Sequence, residues 1–221
     1  MSDILYRWPN GAKFGGRIPK EKIYAYGNLN SSIREKIIAE VQKIIWAYKL
    51  AEATINLPGS PDVPEVQVFQ IGAKVSDVSD AVLSAIDRAI PFPIVFELAR
   101  EIGDIREVRM VVASKQIEAN RVKLGDYYTT NWLSEDYSRS ELPLAVTLPG
   151  LYAALLEPLT PLTMRPGENL KQVTARIQTV RKLEREIYVL EHKLHSEPQF
   201  NRKVELLRTL KLKNLELDKQ R

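Results

Sequence analysis

The sequence predicts an α/β protein, in which helices pack on a mixed sheet, followed by a C-terminal antiparallel α-helical hairpin or coiled coil. Two observations predict the sheet: an apolar run at residues 94–98, and a helical pattern at 80–90 that separates it from an apolar segment at 65–71. In the last quarter of the chain, apolar residues recur every three or four positions. We therefore predict an α/β body, residues 1–167, and a basic helical arm, residues 168–221.

The segment 94–98 organises the predicted body. Because it shows little polar alternation, both of its faces should be covered. Pro91 and Pro93 fix the direction of the chain as it enters the strand. The preceding strand and helix predict a parallel βαβ crossover. Residues 107–114 follow after a short connection containing a glycine, which favours an antiparallel return. A fourth strand is expected at 127–132.

The clearest helical pattern in the body lies at residues 33–53. Apolar residues recur there at spacings of three and four between Ile33 and Leu50. Ser32 stands three residues before Glu35, which is the signature of a capping box. We therefore expect one helix over this whole segment.

Aromatic and basic residues are interleaved in the N-terminal segment, 3–30, which its glycines should divide into loop and one or two short strands. Such side chains can bind phosphates and stack on bases. Lys13, Arg17, Lys20 and the more distant Lys49 are therefore candidates for nucleic-acid binding. The alternative interpretation is that the aromatic residues simply cap the core.

Composition excludes several classes of site. The chain contains no Cys, which excludes disulfides, thiolate chemistry and Cys-based metal sites. No apolar run approaches the roughly 18 residues that a membrane span requires, and the N-terminus lacks the features of a signal peptide, so a cytoplasmic protein without a membrane segment is expected. The net charge of +4 is uneven, because residues 169–221 hold 13 Lys or Arg against 7 Asp or Glu. This basic arm could contact nucleic acid or an acidic protein surface, or be a solvated helical surface.

The arm contains two helical patterns of similar length, interrupted at Ser196-Glu197-Pro198. This arrangement favours an antiparallel hairpin; one long helix in an intermolecular coiled coil, kinked at Pro198, is the alternative. A hairpin buries only one apolar seam. We therefore expect Leu206, Leu212 and Leu215 to contact a protein partner.

Catalytic and metal-binding patterns are incomplete. A restriction-type nuclease needs an acidic residue and then Glu-x-Lys on one adjoining strand, so that carboxylates hold a metal ion beside the lysine. Asp87, Glu97 and Lys115 lie near predicted strand ends, but Glu97 and Lys115 belong to different strands. The two histidines, His192 and His195, have no acidic or thiolate partner at a suitable spacing. We predict no catalytic residue, no metal site and no cofactor, and favour a protein that is not an enzyme. A metal-dependent nuclease, or another DNA-acting enzyme, with a degenerate site near Asp87, Glu97 and Lys115 is the alternative.

Several motifs resemble an uncharacterised bacterial and archaeal family, domain of unknown function DUF4391. They are FGGRIPK at 14–20, WAYKL at 46–50 with Thr54-x-Asn56, VQVFQI at 66–71, IDRAIPFPIVFEL at 86–98, ASK at 113–115 and EPQFNRKVEL at 197–206. Genes of this family tend to lie beside helicase and DNA-methyltransferase genes in restriction or phage-defence islands. The resemblance implies the same neighbourhood for the gene of this chain. It implies no catalytic residue. We therefore expect a non-catalytic accessory subunit of an anti-phage or restriction-type assembly, whose partner is a helicase or methyltransferase subunit or a second copy of the chain.

Overall fold

The structure is a computed structural model that describes residues 3–118, 121–165, 167–168 and 170–221. Two compact units make up the chain, Met1–Thr160 and Pro161–Arg221. The strands are β1 (Lys13–Arg17), β2 (Val41–Ala51), β3 (Glu65–Ala73), β4 (Ile94–Ile102), β5 (Ile105–Glu118), β6 (Arg121–Thr129) and β7 (Leu133–Ser134). The helices are α1 (Lys20–Tyr26), α2 (Ser31–Glu40), α3 (Glu52–Ile55), α4 (Asp80–Ala89), α5 (Leu148–Leu156), α6 (Leu170–Ser196) and α7 (Phe200–Gln220), with 3₁₀ turns at Asn10–Ala12 and Glu157–Leu159.

The first unit contains one mixed sheet in the order β1-β2-β3-β4-β5-β6, and β7 pairs with β5. Strands β3 and β4 are parallel, while the other described pairs are antiparallel. Helix α4 connects the parallel pair, and β5 returns antiparallel to β4. The predicted α/β class, the βαβ crossover and the hairpin after it are therefore confirmed.

Strand β4 lies inside the sheet and is covered on both faces. Phe96 belongs to a core cluster that includes Phe69 of β3, Ile37 of α2 and Ile86 of α4. Its neighbour Val95 points to the opposite face and is also fully buried. This double burial explains why the strand reads as a continuous apolar run.

The predicted helix at residues 33–53 is wrong in its second half. Helix α2 ends at Glu40, and the chain continues directly as the 11-residue strand β2. The N-cap is Asn30, whose side chain accepts a hydrogen bond from the Ile33 N–H at 3.0 Å, rather than Ser32.

Two β-bulges explain the misleading pattern. The register of β2 against β3 shifts between Val41 and Lys43 and again between Trp46 and Tyr48. Each bulge inserts one residue into the first half of the strand, and buried positions recur every three residues from Val41 to Leu50. A strand with this spacing imitates one face of a helix. The β-branched and aromatic residues of the segment were the signal that favoured a strand.

Smaller differences lie elsewhere in the first unit. The N-terminal segment contains the expected short strand, β1, and also helix α1, which its sequence pattern did not predict. The fourth predicted strand begins earlier than expected, since β6 starts at Arg121 and ends at Thr129. Helix α5, Leu148–Leu156, is apolar and mostly buried.

The second unit is the predicted antiparallel hairpin, formed by α6 and α7 packing against each other. Its core consists of the buried residues Val180, Leu183, Ile187 and Leu217, with Leu162 and Leu210 packed against them. The long-helix alternative, in which Pro198 is only a kink, does not hold for this chain. The boundary between a body at 1–167 and an arm at 168–221 stays a prediction.

Two arginine side chains, Arg165 and Arg176, bind the carbonyl groups at the C-terminal end of α7. The Arg176 guanidinium donates two hydrogen bonds of 2.8 Å to the Glu168 carboxylate and one of 2.9 Å to the Gln220 carbonyl. Arg165 donates to the neighbouring Lys219 carbonyl. These carbonyls would otherwise lack partners at the helix end. Hydrogen bonding to Arg176 lowers the pKa of Glu168 to about 2.

We expect Val95→Asp to prevent folding, because an unpaired charge at a site with 0 % exposure costs several kcal/mol. Ile102→Asp, near the end of the same strand, is the matched control because Ile102 is 51 % exposed. It should change the free energy of unfolding by no more than about 0.5 kcal/mol. Urea denaturation measures both. Equal unfolding midpoints for the two variants would contradict a doubly covered β4.

Candidate functional site

Asp87 and Lys115 form a fully buried ion pair on the helix-covered face of the sheet that carries Phe96. The Lys115 ammonium lies 2.7 Å from Asp87 Oδ1, and the two side chains are 0 % and 1 % exposed. The ammonium also donates to the main-chain carbonyls of Asp87, Ile90 and Phe92. Tyr127 donates its hydroxyl to Asp87 Oδ2 at 3.0 Å. A lysine ammonium has three N–H donors. Its four acceptors here, Asp87 Oδ1 and the three carbonyl oxygens, use all of them.

The local sequence explains why these groups meet. Asp87 lies in the last turn of α4, where carbonyl groups have no partner within the helix. The connection through Pro91 then leads the chain into β4. Within this connection, the carbonyl groups of Ile90 and Phe92 point to the same ammonium as the end of α4 does. Lys115 points to this face because it follows Val111 at intervals of two along β5.

Burial is the largest influence on the protonation of this cluster. It raises the pKa of Asp87 and lowers the pKa of Lys115, while the attraction between the two partly opposes both shifts. Burial, followed by the nearby Asp87 carboxylate, raises the pKa of Tyr127. The pair is therefore held by mutual attraction and hydrogen bonding in a place that disfavours either charge alone.

Glu97 is another buried carboxylate of the sheet, and both of its oxygens accept hydrogen bonds. The Trp8 indole N–H and the Arg139 guanidinium each donate to Oε1 at 2.7 Å, and the Gln70 amide donates to Oε2 at 3.0 Å. Its side chain is 2 % exposed. Glu97 thus ties the N-terminal segment and the Arg139 loop to the middle of the sheet.

The sheet separates these two carboxylates. Glu97 lies between Phe96 and Leu98 on β4, and both of those side chains belong to the core cluster that α4 covers. The alternation of a strand therefore directs Glu97 to the other face. Asp87 and Lys115 meet, but Glu97 does not join them. The arrangement required for the degenerate nuclease site is absent from this geometry.

No other cluster among the described residues offers a metal site. Within that part of the chain, no group of three His, Cys, Asp or Glu side chains is close enough to hold one ion. His192 packs edge-on against Tyr188, with ring centroids 4.7 Å apart, and both His192 and His195 are exposed.

The four candidate nucleic-acid-binding residues occupy two kinds of position. Lys13 and Arg17 are exposed on the edge strand β1. Lys20 instead donates to carbonyl oxygens at the end of α2 and the start of β2, and burial, with Lys74 nearby, lowers its pKa. Lys49 forms a 2.8 Å ion pair with Glu65. Nucleic-acid binding stays a prediction, which Lys13 and Arg17 are the better placed to support.

A cleft of about 620 Å³ lies at the end of the sheet where the parallel strands β3 and β4 finish. This is the edge at which open α/β sheets often bind ligands. However, two of the four cations that line it are matched internally: Arg100 pairs with Glu107 at 2.7 Å, and Arg106 pairs with Glu135 at 3.2 Å. Half of the positive charge that lines the cleft is therefore already compensated within the protein.

The N-terminus of α4, which follows β3 at that edge, is also occupied. The Glu40 carboxylate accepts hydrogen bonds from the Ser79 N–H at 2.7 Å and the Ser79 hydroxyl at 3.0 Å. A carboxylate of the protein thus takes the place that a phosphate takes at many helix N-termini.

The candidate partner-binding leucines differ in exposure. Leu206 is half-buried, whereas Leu212 and Leu215 are 67 % and 50 % exposed. Sequence analysis did not single out Phe200 and Leu207, which are 77 % and 51 % exposed. From residue 188 to residue 216 of the hairpin, no side chain is buried. Partner contact through these residues stays a prediction.

Sequence comparison agrees with the motifs. A family model described as Domain of unknown function (DUF4391) matches residues 7–217, which include most of both units. No curated protein and no solved structure matches the chain. Among the described residues, no helix is long and apolar enough to cross a membrane.

If the buried pair is structural, its two members should be strongly coupled in stability. Lys115→Met leaves the Asp87 carboxylate buried without its cation, which should cost about 3–5 kcal/mol. The double variant Asp87→Asn/Lys115→Met should cost clearly less stability than the sum of the two single variants. Each single variant leaves one buried charge without its partner, whereas the double variant leaves no charge at this site. Urea denaturation of the four proteins gives the coupling energy.

The same Lys115→Met variant should show a pH-dependent penalty. Removal of the cation raises the pKa of folded Asp87 further above its unfolded value of about 3.9. A raised carboxyl pKa means that stability is retained at acid pH and is lost as the pH rises through the folded pKa. The penalty relative to wild type should therefore be larger at pH 7.5 than at pH 4.5. Additive single variants with a pH-independent penalty would contradict a coupled buried pair.

Proposed function

This chain belongs to the DUF4391 family, and we propose that it is a non-catalytic accessory subunit of an anti-phage or restriction-type assembly. Its proposed action is to hold another protein on the helical hairpin. The kind of assembly, and a helicase or methyltransferase subunit as the partner, are supported by the family resemblance alone. The manner of action is supported by the geometry of both units.

One observation carries the proposal: both oxygens of each of the buried carboxylates Asp87 and Glu97 accept hydrogen bonds from the protein itself. A carboxylate that binds a metal ion or activates water needs an oxygen lone pair directed at the reactant. Glu97 accepts three hydrogen bonds from protein side chains, and Asp87 is held by Lys115 and Tyr127. Neither is exposed to a substrate, since their side chains are 2 % and 1 % exposed. These groups stabilise the body and leave binding to other surfaces.

The hairpin is the surface best suited to binding a protein. Helices in proteins gain most of their stability by packing an apolar face, yet no residue between 188 and 216 is buried. Phe200, Leu207, Leu212 and Leu215 are each at least half exposed in this stretch. Exposed apolar side chains at this density are typical of an interaction site.

Co-purification tests the proposal. The full tagged chain would be produced together with the genes that flank its own, among which the resemblance implies a helicase and a DNA methyltransferase. We expect wild type to retain one of these products and Leu207→Glu/Leu215→Glu to lose it. Val189→Glu, an equally drastic change at a residue of α6 that is 48 % exposed, is the control and should retain the product. Melting curves establish that all three proteins are folded.

The same preparations test the non-catalytic part. Purified wild type with Mg²⁺ or Mn²⁺ should leave single- and double-stranded DNA and RNA intact. Cleavage that disappears in Glu97→Gln would contradict the proposal and support the nuclease alternative. Failure of wild type to retain any neighbouring product would contradict the accessory role.

A further inference from the structure

Helix α7 has a second apolar stripe that faces away from α6. At about 100° per residue, Phe200, Val204, Leu207 and Leu215 lie within about 80° of one another around the helix. The stripe that packs in the hairpin, with Leu210 and Leu217, is centred roughly 120° away. Val204 is half-buried, and the other three members of the outward stripe are at least half exposed. We call these four residues the outward stripe.

Unpaired cations lie within and beside the outward stripe. Lys211 falls between Leu207 and Leu215 on the same face, and Arg208 lies at its edge. Neither forms a hydrogen bond or ion pair with any residue that the structure describes. By contrast Lys213, on the inward side, pairs with Glu186 at 2.9 Å and Glu216 at 3.4 Å. Lys213 is thus matched by carboxylates of the hairpin, whereas Arg208 and Lys211 are not.

We propose that the outward stripe binds an acidic amphipathic helix of the partner, with apolar residues on one face flanked by Asp or Glu. This inference rests on the accessory role proposed above and specifies the chemistry of its partner. Apolar side chains of the partner helix would cover Phe200, Leu207 and Leu215. Its carboxylates would pair with Arg208 and Lys211, as charged residues do at the flanks of a coiled-coil seam.

Two other occupants fit the stripe less well. A second copy, paired about a two-fold axis, would bring Arg208 and Lys211 close to the same cations of its mate. A nucleic-acid backbone would pair with the cations but leave the apolar residues between them uncovered. The stripe extends from Phe200 to Leu215, about 22 Å at 1.5 Å per residue, which matches a partner helix of roughly four turns.

Two synthetic peptides test the proposal on the full chain. Both contain about three heptads with Leu at the seam positions, and they differ only in carrying Glu or Lys at the flanking positions. By fluorescence anisotropy, we expect the Glu peptide to bind roughly tenfold more tightly than the Lys peptide, with an affinity that falls as salt rises. Arg208→Glu/Lys211→Glu should invert this preference.

A charge-matched control separates the stripe from the overall charge of the arm. Lys193→Glu/Arg202→Glu makes the same change of charge at exposed positions, of which Arg202 lies on the opposite side of α7 from the stripe. It should keep the preference for the Glu peptide. Equal binding of the two peptides, no binding of the Glu peptide, or inversion by the control would each overturn the proposal.

Light scattering tests whether the outward stripe instead binds a second copy of the chain. Self-association of wild type that Leu207→Glu abolishes would overturn the proposal by assigning the stripe to a second copy. The two proposals can fail separately. Peptide preference without co-purification of a neighbouring product contradicts the accessory role only, whereas co-purification without peptide preference contradicts the acidic helix only.

Discussion

The ammonium of Lys115 is the point on which the arrangement of the sheet unit depends. It joins β5 to the end of α4 and to the connection that leads through Pro91 into β4. Since α4 is the crossover between the parallel strands β3 and β4, fixing its end also fixes how those strands meet. A buried ion pair contributes little net stability compared with apolar residues of similar size. We therefore interpret the pair as a source of specificity, since any other register of β5 would leave a charge buried alone.

The same reasoning applies to two further carboxylates of the unit, the buried Glu97 and the half-buried Glu40. Glu97 binds Trp8 and Arg139, which come from opposite ends of the unit's sequence, and Glu40 holds the start of α4 through Ser79. Each carboxylate thus fixes an element that the apolar core alone would allow to slide. Groups that resemble fragments of a nuclease site in the sequence are therefore structural anchors in the fold. The proposed binding surface is accordingly the outer surface of the hairpin.

The sequence predicted the structure correctly where the spacing of apolar residues is compatible with only one kind of secondary structure. The run at 94–98 and the helix before it predicted the parallel crossover, and Pro198 together with two matched patterns predicted the hairpin. The sequence pattern was misleading at Val41–Ala51, where a strand with β-bulges has its buried residues at a spacing that resembles a helix. Asp87 and Lys115 were identified, but their pairing depends on a register that only the folded sheet defines. The roles of Trp8, Gln70 and Arg139 had no sequence signal, because each lies far along the chain from Glu97.

In the proposed function the two units have different roles: buried, hydrogen-bonded charges stabilise the sheet, and residues 188–216 of the hairpin bind a partner. Hydrogen–deuterium exchange on the free chain and on the purified native complex tests this division most directly. The account predicts fast amide exchange at residues 188–216 in the free chain and clear slowing there in the complex, with the strands β3, β4 and β5 slow in both. Slowing confined to the sheet unit, with no change at 188–216, would contradict it.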